Sequence, residues 1–208
     1  MSSDSTDKAL LVDFGGVLTT DVWSSFAAFC EQRGLEPDAV KGLFRAHPEA
    51  LEALRGLETG AVEPPDFERR FAHLLGTEPD GLVDGLFAGL RPDDSMVAAV
   101  RAAREAGVPT GLISNSWVME HYTDQIRELF DVVVISAEVG LHKPQPEIFR
   151  LAAQRLGVDP RACVFVDDLR ENCAGAEAVG MTAVLHRDPV QTIAKLEELL
   201  GVGLGAAR

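Results

Sequence analysis

The sequence predicts an α/β fold: a doubly wound parallel sheet with a small helical segment inserted after the first strand. Two observations predict it. Short, apolar, largely β-branched runs recur along the chain, each stopping at a polar or acidic residue, as strands covered on both faces do. From Asp94 onward, helix-patterned segments alternate with them, the rhythm of βα units. The first run, Ala9–Val12, ends at Asp13 and is followed by Gly15 and Gly16, a buried strand stopping at a loop. Helix-like stretches follow around Val22–Arg33, Asp38–Arg45, Pro48–Thr59, Pro65–Leu75 and Pro79–Ala88, with no strand among them. Asp94–Ala106 is Ala-rich, opens on the capping candidates Asp93, Asp94 and Ser95, and stops at Gly107. Thr110–Ile113 leads to Ser114, a helix over Met119–Leu129 connects it to Val132–Ile135, and that strand leads to Ser136. Pro146–Leu156 starts with Pro in its first turn and ends at Gly157. Cys163–Val166 leads to Asp167, Asn172–Val179 ends at Gly180, Thr182–Leu185 leads to His186, and Val190–Leu200 closes the series. The expected division is a core of residues 1–20 and 90–208 with a helical cap over 21–89.

Composition narrows the function. The 208 residues are 46% hydrophobic and 25% charged, which excludes disorder throughout. A net charge of −14 makes the chain a poor non-specific binder of nucleic acid or anionic lipid, so no nucleic-acid or membrane partner is expected. Any phosphate must therefore be met locally, by a cation or by backbone N–H groups. Cys30, Cys163 and Cys173 cannot all pair with one another and have no zinc-site spacing, which suits reduced thiols in a cytoplasmic protein. The start of the chain lacks the basic and apolar regions of a signal peptide, and no apolar run approaches the ~18 residues of a membrane span. A monomer or homodimer is expected.

In an open parallel sheet, ligands bind outside the carboxyl ends of the strands. There the sequence places Asp13, Ser114-Asn115 and Asp167-Asp168, with Lys143 in the loop after the third strand. Carboxylates gathered without a counter-ion repel, so a cation is expected between them. Hard oxygen ligands select Mg²⁺, which shares its coordination sphere with substrate phosphate. Asp13 can then attack phosphorus as a nucleophile. Ser114 and the backbone N–H groups of the Asp13–Gly16 turn can donate to phosphoryl oxygens, and Lys143 can neutralise the charge brought together.

The segments VDFGGVL, GLISNSW, HKPQPEIF and VFVDDLREN, in that order, resemble the haloacid dehalogenase superfamily of phosphohydrolases. The likeness covers a Rossmann-like core of roughly residues 9–20 and 91–190, and the inserted helices resemble the family's small cap. Within the superfamily the wording is most similar to helical-cap sugar-phosphate phosphatases and to the N-terminal phosphatase domain of soluble epoxide hydrolase. The resemblance implies that Asp13 is the nucleophile that forms an aspartyl-phosphate. It implies that Lys143 bridges nucleophile and phosphate, and that Ser114, with Asn115 beside it, holds the phosphoryl group. Asp168 matches the Mg²⁺ ligand and Asp167 the adjacent supporting acid, with Asp13 and the Gly15 carbonyl completing the metal set. Gly15 and Gly16 would present N–H groups to the phosphate, and Asn172 stands where many members carry a further acid.

One departure matters. Family phosphatases usually carry a general acid two residues after the nucleophile, where this chain has Gly15. Loss of a general acid costs about 10²–10⁴-fold, or roughly 3–5 kcal/mol of barrier. Three outcomes follow: a substrate with a good leaving group such as a sugar 1-phosphate or acyl phosphate, a substitute from the cap such as His47 or His73, or a catalytically weak phosphate-binding relative. A 2-haloacid dehalogenase is the competing enzyme class, and the Asp167-Asp168 pair argues against it. His121 and His186 are expected at the surface or at strand ends, and His142 is expected to point away from the site. Trp23 and Trp117 are expected in the seam between cap and core, with Trp117 the better candidate for the pocket wall. The cysteines read as small buried hydrophobes.

Overall fold

The computed structural model describes residues 8–117 and 127–205. The helix expected over Met119–Leu129 falls mostly outside these residues, as does His121. Five strands, β1 (Ala9–Val12), β2 (Thr110–Ser114), β3 (Val132–Ile135), β4 (Cys163–Asp167) and β5 (Thr182–Leu185), form one parallel sheet in the order β3-β2-β1-β4-β5. The central strands β1, β2 and β4 are buried along their whole length, whereas the edge strands β3 and β5 are partly open.

Alternation along the strands explains the double winding. Leu10 and Val12 of β1, with Val164 and Val166 of β4, pack against Met96, Val100 and Leu196 on one face. Ala9 and Leu11, with Phe165, pack against Ile148, Phe149 and Ala176 on the other. The first face is covered by α6 (Asp94–Glu105) and α10 (Pro189–Leu200), the second by α8 (Pro146–Leu156) and α9 (Arg170–Glu177). Asp93 caps α6 through the N–H groups of Ser95 and Met96, and Gly157, in the left-handed region, ends α8.

Between β1 and α6 lie only helices: α1 (Val22–Gln32), α2 (Ala39–Ala46), α3 (Pro48–Glu58), α4 (Pro64–Leu75) and α5 (Leu82–Phe87). They bury a second apolar cluster of their own, built on Phe26, Phe29, Phe44, Phe67 and Phe71. Phe71 stacks on both Phe44 and Phe67, with centroids 4.8 and 5.1 Å apart. The chain enters and leaves this insert side by side, because Thr20 N–H donates to the Arg91 carbonyl (2.8 Å) and Asp93 N–H to that of Leu18 (2.8 Å).

Some boundaries differ from the sequence pattern for local reasons. β2 and β4 each run one residue further, taking in Ser114 and Asp167 themselves. The last insert helix starts at Leu82 rather than Pro79, since Gly81 sits in the left-handed region at its N-terminus. α9 begins two residues early, at Arg170. A short helix, α7 (Ser136–Val139), leaves β3 with no turn residue to announce it, and a 3₁₀ turn spans Pro160–Ala162. No described helix is long and apolar enough to cross a membrane.

Two helical glycines make a test of the packing. A Cβ at Gly175 of α9 would lie 2.5 Å from the Pro144 carbonyl oxygen, so only glycine lets α9 approach the loop that carries Lys143. A Cβ on Gly42 of α2 would meet nothing within 4 Å. Gly42→Ala is expected to raise stability by up to about 1 kcal/mol, as helix propensity dictates. Gly175→Ala is expected to lower it by about 1–3 kcal/mol. Thermal or urea melts of the two variants read opposite signs if this packing is right.

Candidate active site

The site grows from the junction of β1 and β4, where the strand order reverses. The β1–β4 ladder pairs Val12 with Val166, and the next N–H, that of Asp13, donates to the Val166 carbonyl at 2.9 Å. Asp13 and Asp167 are thereby held side by side at the carboxyl edge of the sheet. Into the gap reaches Lys143, 1% exposed, its Nζ 2.7 Å from Asp13 Oδ1 and 2.7 Å from Asp167 Oδ2.

Each partner is positioned in turn. Asp167 is fully buried and also accepts from Leu169 N–H (2.8 Å) and from Asn172 Nδ2 (3.0 and 3.1 Å). Asn172 thus supplies a donor to Asp167. Asn115 accepts from Lys143 N–H (2.8 Å) and donates from Nδ2 to the Lys143 carbonyl (3.1 Å), so its amide clamps the Lys143 backbone. Asp168, half-buried, lies against the turn after β1. A Cβ at Gly16, whose φ is +73°, would stand 2.8 Å from Asp168 Oδ2, so this position needs glycine on both counts.

Several expectations are corrected by this geometry. Gly16 N–H, expected to face a phosphate, donates to Thr19 Oγ1 (3.1 Å), and the absence of a Cβ leaves room for Asp168. His142 does not point away: its Nε2 lies 3.0 Å from Asn115 Nδ2 and 2.6 Å from Glu58 Oε2 on α3. Ser136 Oγ donates to the Glu58 carbonyl, so Glu58 ties the insert to the sheet side at two points. His73 is exposed on α4, and neither it nor His47 lines the cavity described below. His186 is buried at the end of β5 with Nδ1 2.9 Å from Thr192 Oγ1, and burial holds its pKa below the ordinary value. The three cysteines are free and buried, and burial raises the Cys163 and Cys173 thiols to about 11.

Asp13, Ser114, Lys143 and Asp168 all open onto one cavity of about 1110 Å³ between insert and sheet. Asn115 and Gly15 also border it, and Trp23 and Trp117 form part of its wall, Trp117 packed edge-on to Phe87 at 5.3 Å.

The charges do not balance. One ligand atom from each of Asp13, Asp167 and Asp168 lies within 4.8 Å of the others, against the Lys143 ammonium and the exposed Arg187 guanidinium, which donates to the Asp168 carbonyl (2.8 Å). Burial raises the Asp13 carboxyl to about 7, Lys143 opposing and the neighbouring aspartates adding to the rise. Burial, followed by Asp167, raises Asp168 to about 6. Burial alone would lower the Lys143 pKa, but Asp13 and Asp167 overcome it and hold the amine charged. This donor set fits a hard divalent cation: all oxygen, excess negative charge, and Asp13 and Asp168 less engaged than Asp167.

The raised carboxyls have a consequence for stability. Folded, Asp13 and Asp168 keep protons that the unfolded chain has released, so their contribution is whole below about pH 4 and is lost as pH rises through 6 to 7. A divalent cation needs both groups ionised and stabilises most where they are. Thermal melts with Mg²⁺ and with a chelator are expected to differ little near pH 5 and most near pH 8. Asp168→Asn is expected to shrink the difference, and an equal shift at both pH values would contradict the arrangement.

Known proteins share this architecture. A family model described as haloacid dehalogenase-like hydrolase matches residues 8–180. A glyceraldehyde 3-phosphate phosphatase of Methanopyrus kandleri is 31% identical over 171 residues, covering 75% of this chain and 71% of that protein. Mouse Acyl-CoA dehydrogenase family member 10 is 35% identical over 112 residues, which is 52% of this chain but 10% of that protein, so the chain spans a small part of this longer relative. Among solved structures, a HAD family enzyme from Bacteroides thetaiotaomicron, in complex with magnesium and inorganic phosphate, superposes with a TM-score of 0.66 over 86% of this chain and 94% of that one. At 22% identity, that likeness is one of fold. With the family model matched along most of its length, the chain belongs to the haloacid dehalogenase-like hydrolases.

Proposed function

We propose that the protein is a Mg²⁺-dependent phosphatase of small phosphorylated molecules that works through an aspartyl-phosphate on Asp13. The observation that carries the reading is the buried Lys143 ammonium, 2.7 Å from each of two aspartates on the floor of a cavity that Ser114 and Asp168 also border. The names of the relatives support it: the M. kandleri protein is a phosphatase, and the B. thetaiotaomicron enzyme holds magnesium and phosphate.

In this reading the Asp13 oxygen not held by Lys143 attacks phosphorus, and the bond from phosphorus to the leaving oxygen breaks. Lys143 keeps its proton and offsets charge on Asp13 and on the phosphoryl group. Ser114 Oγ and the Gly15 N–H donate to phosphoryl oxygens. Water then attacks the phosphorus of the aspartyl-phosphate, releasing inorganic phosphate and restoring Asp13. Asp13, Asp168 and the Gly15 carbonyl, with Asp167 behind them, would hold Mg²⁺, which supplies charge neutralisation at the phosphate. The insert acts as a cap that keeps bulk water from the site.

No carboxylic acid stands at position 15 to protonate the leaving oxygen, so the preferred substrates are those whose leaving group departs as an anion, such as acyl phosphates or sugar 1-phosphates. The place of the acid is crowded: a Cβ on Gly15 would lie 3.1 Å from Val22 Cγ2.

Two outcomes test the reading. Asp13→Asn is expected to lose at least about 10³-fold in kcat on a panel of phosphate esters. Beryllofluoride with Mg²⁺ is expected to raise the melting temperature of the parent protein but not of that variant. Activity surviving in Asp13→Asn removes Asp13 from the nucleophile role. Separately, Gly15→Asp combined with Val22→Ala is expected to speed hydrolysis of unactivated alkyl phosphates by up to about 10²-fold, with little gain on acyl phosphates.

A further inference from the structure

We infer that the substrate carries its phosphate on an apolar body, an aryl group or acyl chain, rather than on a polyol; the inference rests on the phosphatase reading and specifies its substrate class. Among the described residues the cavity's lining is more apolar than polar, with Trp23, Phe44, Leu54 and Phe87 from the insert and Trp117 and Leu169 from the sheet side. At about 1110 Å³ it is far larger than a phosphate or triose phosphate requires and reaches the upper end of drug-sized pockets.

Several of the described polar groups that border the cavity are held by other partners, while Arg45, Asp94, Arg101 and Glu171 are exposed to solvent. Asn115 is spent on the Lys143 backbone. Arg91 donates to the Ala88 and Leu90 carbonyls. Glu58 lies against His142, and Thr19 Oγ1 donates to the Thr20 carbonyl while accepting from Gly16 N–H. A sugar would need several donors and acceptors aimed at its hydroxyls, and burying hydroxyls without them is unfavourable. A second observation is independent of the lining. Among the described residues the exposed large hydrophobics are Leu51, Leu169 and Val190, and two of these, Leu51 on α3 (46% exposed) and Leu169 after β4 (40%), border this one cavity. They lie on opposite partners, insert and sheet, where an apolar ligand would cover both. The body's point of attachment follows from Gly15 and the walls together: Gly15 favours acyl, phenolic or anomeric leaving oxygens, and of these the apolar walls favour the phenolic and acyl ones over a sugar's.

Two series separate this inference from the reading beneath it. In the first, butyl-, hexyl- and octylphosphonate are titrated calorimetrically into the Mg²⁺-loaded protein, with orthovanadate as competitor. Affinity is expected to rise by up to about fourfold per added methylene and to be displaced by vanadate. The Leu51→Ser/Leu169→Ser double variant, checked for an unchanged melt, is expected to flatten that rise. In the second, 4-methyl-, 4-butyl- and 4-octylphenyl phosphate, whose leaving oxygens are equally acidic, are compared by kcat/KM, which is expected to increase along the series. Length-independent or vanadate-insensitive phosphonate binding overturns the apolar assignment, even if short aryl phosphates are hydrolysed. Length-dependent, vanadate-sensitive binding with no turnover of any ester upholds the apolar site and overturns the phosphatase reading instead.

Discussion

The buried ammonium of Lys143 is the constraint on which the rest of the site depends. A charge taken out of water costs several kcal/mol unless it is paired, and Lys143 is paired twice, with Asp13 and Asp167 at 2.7 Å each. Both pairings need β1 and β4 to be neighbours, the Asn115 clamp to fix the Lys143 backbone, and Gly175 to let α9 close on the loop. Helix, strand order and loop are all answerable to one nitrogen atom. A parallel sheet with a reversal of strand order beside β1 provides that meeting point; neighbours from successive hairpins would not.

The same cluster is electrically unfinished, and that is its chemical content. Asp167 has three donors around it and serves mainly to orient Lys143. Asp13 and Asp168 are less engaged, and both have raised pKa values because burial is not matched by enough positive charge. The surplus that destabilises the chain alone is what a divalent cation and a phosphoryl group would use together. In a protein of net charge −14, attraction of an anion cannot come from the surface field as a whole and has to be generated within a few ångströms.

The strands were legible because their signal is local. Ala9–Val12, Val132–Ile135 and Thr182–Leu185 are apolar runs bounded by polar residues, and the structure places them residue for residue. Asp13, Ser114 and Asp167 could be singled out because each stands at the end of such a run, and the fold converts that position into proximity. The supporting contacts had no such signal. Glu58 and His142 are 84 positions apart, and neither lies in a pattern that predicts the other. That Asn115 serves the Lys143 backbone, and that Gly16 N–H is taken by Thr19, depends on loop conformations no periodicity encodes. Gly42 and Gly175 look alike in sequence, and only the packed structure shows that one faces open space and the other a carbonyl. α7 was missed because nothing between Ile135 and Ser136 marks a break.

The insert and the charge cluster are coupled through water. The raised carboxyls of Asp13 and Asp168 arise chiefly from burial, and Phe14, Val22 and Leu169 stand among the groups bordering the cavity around them. Electrostatic interactions strengthen as water leaves, so an apolar ligand body spanning Leu51 and Leu169 would add to the desolvation that the walls begin. A polyol would carry water in with it and weaken the field at Asp13. On this argument the apolar walls select the ligand and sharpen the chemistry by one physical effect. It also gives Gly15 a place: where the leaving oxygen is acidic enough to depart unprotonated, a third open carboxylate would only add repulsion, and the apolar side chain of Val22 can occupy the space beside it.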